Sequence, residues 1–477
     1  MLIRKQAATT AWSERSEKYS RNKEAPWSIM FFNIPDKLSR RLNIFLLSVF
    51  LLAWFSVLLL WFPTTNTTTP QPNHINETKS QAHIPMCDGS VSVYVYSLPP
   101  EFNVGLLDDC HHLNVYTDMC PHVANCGLGQ LLSGMGSGAS WFATHQFIAE
   151  MIFHARLENH PCRTWDPSRA GLFYIPFYGG LHASSKFREP DLKVRDALAV
   201  KLVEFLQAQP WWLKHHGKDH FLALGRTAWD FMRLEEGPDF GANSLLNLSP
   251  VQNMSVLTVE RIPWKSSNQH GIPYPSYFHP STANEMLTWQ NKMRQSERPY
   301  LWSFVGAPRK GLEKAAIRDK IIAQCAGSTR CKLVRCGSAQ SKCHEPSEVL
   351  GVMATSRFCL QAPGDSFTRR STFDSVLAGC IPVFFSPHTA YTQYAWYLPE
   401  DPDAYSVYID EKGNGSQRIE EELLKIPRER VELMQDRLIE MIPRLTYAHP
   451  NASGFGFRDA VDVALAALSK HVLTKTL

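Results

Sequence analysis

The sequence predicts an α/β protein built from two parallel-sheet halves, and three observations carry that expectation. Apolar strand-like runs alternate with helical patterns through residues 86–477, the signature of parallel sheets. That stretch holds 392 residues, too many for one ordinary core, so two domains are expected, 86–295 and 296–477. A polar stretch from Asn291 to Pro299 separates the two series. Two such halves facing each other leave a ligand cleft between their strand C-termini.

In the first half, Val91 to Tyr96 reads as a strand. Trp141 to Leu157 reads as a helix, with Phe147, Ile148, Met151 and Ile152 at helical spacing. Leu172 to Phe177 is a strand, Leu192 to Gln207 a helix, Phe221 to Leu224 a strand and Val256 to Val259 another. In the second half the order is strand Tyr300 to Val305, helix Leu312 to Cys325, strand Lys332 to Val334 and helix Pro346 to Ala354. Strand Phe358 to Leu360, a helix, strand Ile381 to Phe385 and a run from Tyr405 to Ile409 follow. Long helical patterns, Ile419 to Leu445 and Asp459 to Lys470, close the chain.

Residues Ile44 to Phe62 carry no charge over 19 positions, about 28 Å as a helix and enough to cross a bilayer core. Residues 1–41 hold nine Lys/Arg against four Asp/Glu, and the first basic residue after the run is Lys79. The positive-inside rule puts the tail 1–41 in the cytosol, makes 42–62 a signal-anchor, and leaves 63–85, rich in Thr, Asn, Pro and Gln, as a luminal stem. Trp61-Phe62-Pro63 is a poor signal-peptidase site, which argues against the rival reading of a cleaved leader.

All 11 cysteines lie beyond the apolar run, as do the sequons at Asn66, Asn76, Asn247, Asn253, Asn414 and Asn451. Both fit an oxidising, glycosylating compartment. Cys325, Cys331, Cys336 and Cys343 are close enough for local disulfides, and their spacing does not fit a zinc site. Cys359 and Cys380 sit in apolar runs and read as small buried hydrophobes. The net charge is +4 with no basic run rich in aromatics, so nucleic acid is not a partner.

The most informative stretch runs from Ser356 to Phe385. A strand enters the turn Pro363-Gly364-Asp365-Ser366, and Arg369, Arg370 and Ser371 open the next helix. Gly364 permits close backbone approach. Ser366 and Ser371 offer donors near a helix start, where an anion is favoured. Arg369 and Arg370 can grip phosphate oxygens bidentately, and Asp374, one turn on, can accept from ribose hydroxyls. The plainer alternative pairs these arginines with Asp365 or Asp374. A second cationic turn, Gly306-Ala-Pro-Arg309-Lys310-Gly311, also ends a strand and suits a diphosphate leaving group.

Together with Tyr300 to Gly306 and Thr389 to Leu398, this stretch resembles the exostosin-like glycosyltransferases of family 47, within them the plant xyloglucan galactosyltransferase group. Ser140 to Phe147, Phe173 to Tyr178, Gly225 to Phe231 and Ile272 to Pro280 extend the likeness over roughly residues 88–470. The resemblance implies a GT-B fold of two Rossmann-like domains and an inverting transfer, most simply of galactose from UDP-galactose to xyloglucan side chains in cell-wall synthesis. Another sugar, galacturonate or arabinose, and a non-catalytic glycan-binding scaffold are the alternatives. It further implies a single-pass type II Golgi membrane protein, and complexes with other wall-polysaccharide glycosyltransferases are a further expectation. His182 and Ala362 depart from the family pattern, where Asp and Pro are usual.

On this reading the second half binds the UDP-sugar through Arg309, Gly364, Asp365, Ser366, Arg369, Arg370, Ser371 and Asp374. The first half holds the glucan through Tyr178, His182, Trp229, Tyr274 and Tyr277. Inversion needs a general base; the candidates are Asp230, ranked first for its place in a turn after a strand, then Glu150, His145 and His220. No cofactor is expected. Asp401-Pro-Asp403 has the spacing of a metal-binding pair but reads as a turn, so transfer is expected to be metal-independent.

Overall fold

The computed structural model describes residues 92–476, apart from 136–138, 235–240, 265–267, 310, 338–340 and 453–455. The tail, the apolar run at 44–62, the stem, Asn66 and Asn76 lie outside the described residues. No helix among the described residues is long and apolar enough to cross a membrane.

Two all-parallel sheets form, as the alternating pattern predicts. The first contains β1 (Val93–Val95), β2 (Arg163–Thr164), β3 (Leu172–Tyr174), β4 (His220–Thr227), β5 (Ser255–Glu260) and β6 (Gln269–Gly271), in the order β2-β1-β3-β4-β5-β6. The second contains β7 (Tyr300–Gly306), β8 (Cys331–Arg335), β9 (Ser356–Gln361), β10 (Ile381–Phe384) and β11 (Val407–Tyr408), in the order β11-β10-β9-β7-β8.

Strand alternation sorts the cores. In β4, Phe221 and Ala223 face one apolar cluster while Leu222 and Leu224 face another, the period of two that a sheet covered on both sides requires. Helix α1 (Ala149–Glu158) covers the first face through Ile152, Phe153 and Leu157. Helices α2 (Gly179–Lys186) and α3 (Leu192–Gln207) flank the second, where Leu202 and Leu206 pack. Helix α4 (Ala283–Arg294) opens on a capping box between Thr282 and Glu285.

In the second half, α5 (Ile317–Ala326) packs with Trp302, Phe304 and Phe358. Helices α6 (Pro346–Ala354) and α7 (Arg370–Leu377) cover the other face with α8 (Arg428–Leu445). That cluster is continuous across both halves. The last helix, α9 (Ala460–Thr476), follows Asp459, which takes the Nε of Arg156 at 2.8 Å; Asp462 lies 2.8 Å from His160 Nε2. The chain end therefore docks on the first half.

Several boundaries moved. The helix expected from Trp141 starts only at Ala149, because Trp141 and Phe142 are spent in bridges to Phe278 and Leu131. The helix expected from Leu312 begins at Ile317 after a short 3-10 turn. The pattern Ile419 to Leu445 splits at Pro427, which the α-helical ladder cannot pass.

Disulfides join Cys325–Cys331 and Cys336–Cys343, as expected of a local framework, and also Cys110–Cys120. The reading of Cys359 and Cys380 as separate buried hydrophobes is overturned. They form a disulfide with Cα atoms 5.7 Å apart, because β9 and β10 are neighbours and Cys380 immediately precedes β10. Asn253, Asn414 and Asn451 are exposed, whereas the half-buried Asn247 spends its amide on the Arg233 carbonyl at 2.8 Å.

Candidate active site

In the second sheet the strand order reverses between β7 and β9. Loops leaving such a switch point diverge and open a crevice at the strand C-termini. The two cationic turns leave these two strands.

A buried guanidinium fixes both. Arg318 on α5 donates from Nε to Pro363 O at 2.6 Å, from Nη1 to Ala307 O at 3.0 Å and from Nη2 to Ala362 O at 3.0 Å. Gly364 leaves room for the Arg369 guanidinium, which a Cβ there would displace. Arg369 donates to Thr368 O at 2.6 Å and to Ser366 Oγ at 3.3 Å. Arg309 Nε lies 3.2 Å from Asp365 Oδ1, with both side chains well exposed. Burial, then Arg369, then Arg309 push Arg318 down to about 9. Arg309, Arg318 and Arg369 thus gather at these turns against the carboxylates of Asp365 and Glu260, an excess of positive charge that favours an incoming anion.

The loop is held by a residue of the first half that the sequence did not single out. Glu260 ends β5 fully buried. Its Oε2 accepts from Ser366 Oγ at 2.6 Å, Thr368 N at 2.8 Å and Thr368 Oγ1 at 2.5 Å, and its Oε1 accepts from Trp229 Nε1 at 2.9 Å. An acid ending an apolar strand, Val256 to Val259, was the available signal. Tyr274 adds a hydroxyl contact to Thr368 Oγ1 at 2.9 Å.

Arg370 and Asp374 also join the halves. Arg370 Nη1 donates to Thr144 O at 3.0 Å, and its guanidinium lies 4.0 Å over the Tyr277 ring. Asp374 Oδ1 accepts from Ser276 Oγ at 2.5 Å, and Oδ2 is 3.4 Å from Arg370 Nε. Ser371 Oγ donates to Gln361 Oε1 at 2.6 Å.

The base candidates separate by position. Asp230 is half-buried after β4, and its Oδ2 accepts from Arg226 Nε at 2.9 Å and Thr227 Oγ1 at 3.1 Å. Among the described residues no donor occupies Oδ1. His145 accepts from Phe147 N through Nδ1 at 3.2 Å, which leaves Nε2 protonated and a donor. Burial, then His122, Arg370 and Arg226 push it down to about 3. His220 opens β4, at the end opposite the cleft, bound to Tyr96 OH at 2.8 Å and Asp219 Oδ1 at 2.7 Å.

Glu150 is fully buried and accepts from Gly180 N, Leu181 N and Gly225 N at 2.8–2.9 Å. It ties the first turn of α2 to β4 rather than facing solvent. Burial raises it from 4.5 to about 7, against those three bonds. Its protonated form is therefore favoured by folding, so its contribution is complete below pH 4.5 and is lost as pH rises to about 7. The stability difference between wild type and Glu150→Gln should shift by about 3 kcal/mol across that window in urea titrations; a pH-independent difference contradicts this.

Of the acceptor candidates, Tyr178, Tyr274, Tyr277 and His182 are buried, and Trp229 is half-buried. Tyr178 OH pairs with His154 Nδ1 at 2.8 Å, and burial lowers His182 to about 4. Asp401 caps a 3-10 turn by accepting from Asp403 N at 3.0 Å, the turn expected of that pair.

Residues 87–421 match the exostosin GT47 domain. The chain belongs to the exostosin GT47 family of glycosyltransferases. This GT47 chain is 57% identical over 475 residues to the Arabidopsis thaliana protein named probable xyloglucan galactosyltransferase GT17, covering 98% of this chain and 97% of that one. It is 46% identical to xyloglucan galactosyltransferase MUR3 of the same plant, over 80% of this chain and 62% of that protein. It is 40% identical to xyloglucan-specific galacturonosyltransferase 1, also from Arabidopsis thaliana, over 81% of this chain and 58% of that one. The match therefore spans less than two thirds of the latter two proteins.

Proposed function

We propose that this glycosyltransferase moves galactose from UDP-galactose to xyloglucan side chains, working as a GT-B enzyme with inversion. The observation that carries the reading is the guanidinium cluster Arg309, Arg318 and Arg369 at the β7/β9 switch point. A diphosphate is the anion such a cluster suits. Galactose and xyloglucan follow from the names of the relatives. Galacturonate is the second reading, favoured by the relative named for that transfer.

In the proposed step Asp230 Oδ1 takes the proton of an acceptor hydroxyl. That oxygen attacks the anomeric carbon, the bond from that carbon to the diphosphate oxygen breaks, and UDP leaves with the electron pair. Arg309 and Arg369 meet the charge that develops on the leaving group. These cations supply the role a divalent ion could play, so transfer is proposed to be metal-independent. The site of action proposed is the Golgi lumen, with 42–62 as a type II anchor and the other wall-polysaccharide transferases as partners.

The full chain, incubated with a xyloglucan oligosaccharide and single UDP-sugars, should add one hexose mass from UDP-galactose, with or without chelator. Mass gain from UDP-galacturonate alone would select the second reading, and no gain from any donor would oppose both.

A further inference from the structure

On a face built by α8, α9 and the loop after β10, a cavity of about 750 Å³ is lined by Trp396, Arg444, Arg458, Val463, Ala466 and Lys470, among others. None of these residues belongs to the turns after β7 and β9. Three are cations, and among the described residues no carboxylate lines the cavity. Among the described residues Arg444, Arg458 and Lys470 form no ion pair. Arg444 Nη2 donates to Trp396 O at 3.0 Å, while its Nε is buried without an acceptor. Burial and then Arg437 push Arg444 down from its ordinary value. His270 stacks 4.2 Å from the Trp396 ring and braces it.

We propose that this cavity is a binding site for an acidic oligosaccharide, one carrying uronate carboxylates. Unbalanced cations call for an anion, and the exposed Arg458 guanidinium and Lys470 ammonium suit a carboxylate. The Trp396 ring with Val463 and Ala466 offers apolar surface for the C–H face of a sugar. The volume falls in the range of small-ligand sites of roughly 300–1,000 Å³. The site is separate from the transfer cleft and would dock an acidic glycan beside the enzyme rather than supply its reacting hydroxyl.

Calorimetric titration of the full chain with trigalacturonate tests this. Binding is expected at low salt, weakened at least about tenfold by the pair Arg458→Glu and Lys470→Glu. The neutral trimer cellotriose should give no heat at this site. UDP affinity should be unchanged in the double variant, which shows that it folds. Absence of trigalacturonate binding, equal binding by the double variant, or equally tight binding of inorganic phosphate would overturn the proposal. The titration reads out even if the chain transfers no sugar, so its failure is distinct from failure of the cleft reading.

Discussion

Glu260→Ala is expected to abolish transfer and to destabilise the protein by about 3–5 kcal/mol, read by denaturant unfolding and by product formation. The carboxylate is fully buried and satisfies Ser366, Thr368 and Trp229. Its removal strands several donors at once, and each buried orphan costs about 1–3 kcal/mol. Glu260→Gln keeps one carbonyl oxygen but turns an amide N–H₂ toward donors. It should keep more stability than alanine while still losing most transfer, because one carbonyl oxygen cannot serve both the 366–368 turn and Trp229. A Glu260→Ala protein with wild-type kcat/KM would show that the turn needs no anchor from the first half.

Arg318→Ala should rank next, losing about 3–4 kcal/mol and most UDP affinity. Its guanidinium satisfies the carbonyls of Ala307, Ala362 and Pro363 together. The other side-chain link between the turns after β7 and β9 is the exposed Arg309–Asp365 pair. Arg318→Lys retains the charge but not the planar fork, so it should recover only a minor part of the loss. Full recovery with lysine would mean that charge, not the fork, organises the crevice.

The fold was legible wherever periodicity was strong. Apolar runs such as Phe221 to Leu224 and Ile381 to Phe385 became strands because alternate residues pack on opposite faces. Short strands without apolar runs, such as Gln269–Gly271, gave no such signal. The Cys359–Cys380 bridge depends on which strands are neighbours, which spacing alone does not reveal.

The two cationic turns were legible as strand-to-helix turns because glycine, proline and serine mark such breaks in sequence. The partners of those turns were not, since Glu260 and Ser276 come from remote sequence. Arg370 and Asp374 looked like ligand groups from their helical spacing. The structure spends both on contacts with Thr144, Tyr277 and Ser276.

The most direct measurement compares UDP and uridine binding to wild type and to Arg369→Ala. The guanidinium lies on the loop after β9 without a carboxylate partner among its hydrogen bonds. If it meets the diphosphate, UDP affinity falls roughly 10- to 100-fold, the value of a charge-assisted contact, while uridine affinity stays put. Equal losses for both ligands, or UDP affinity untouched by the substitution, would contradict the assignment of this crevice to a nucleoside diphosphate.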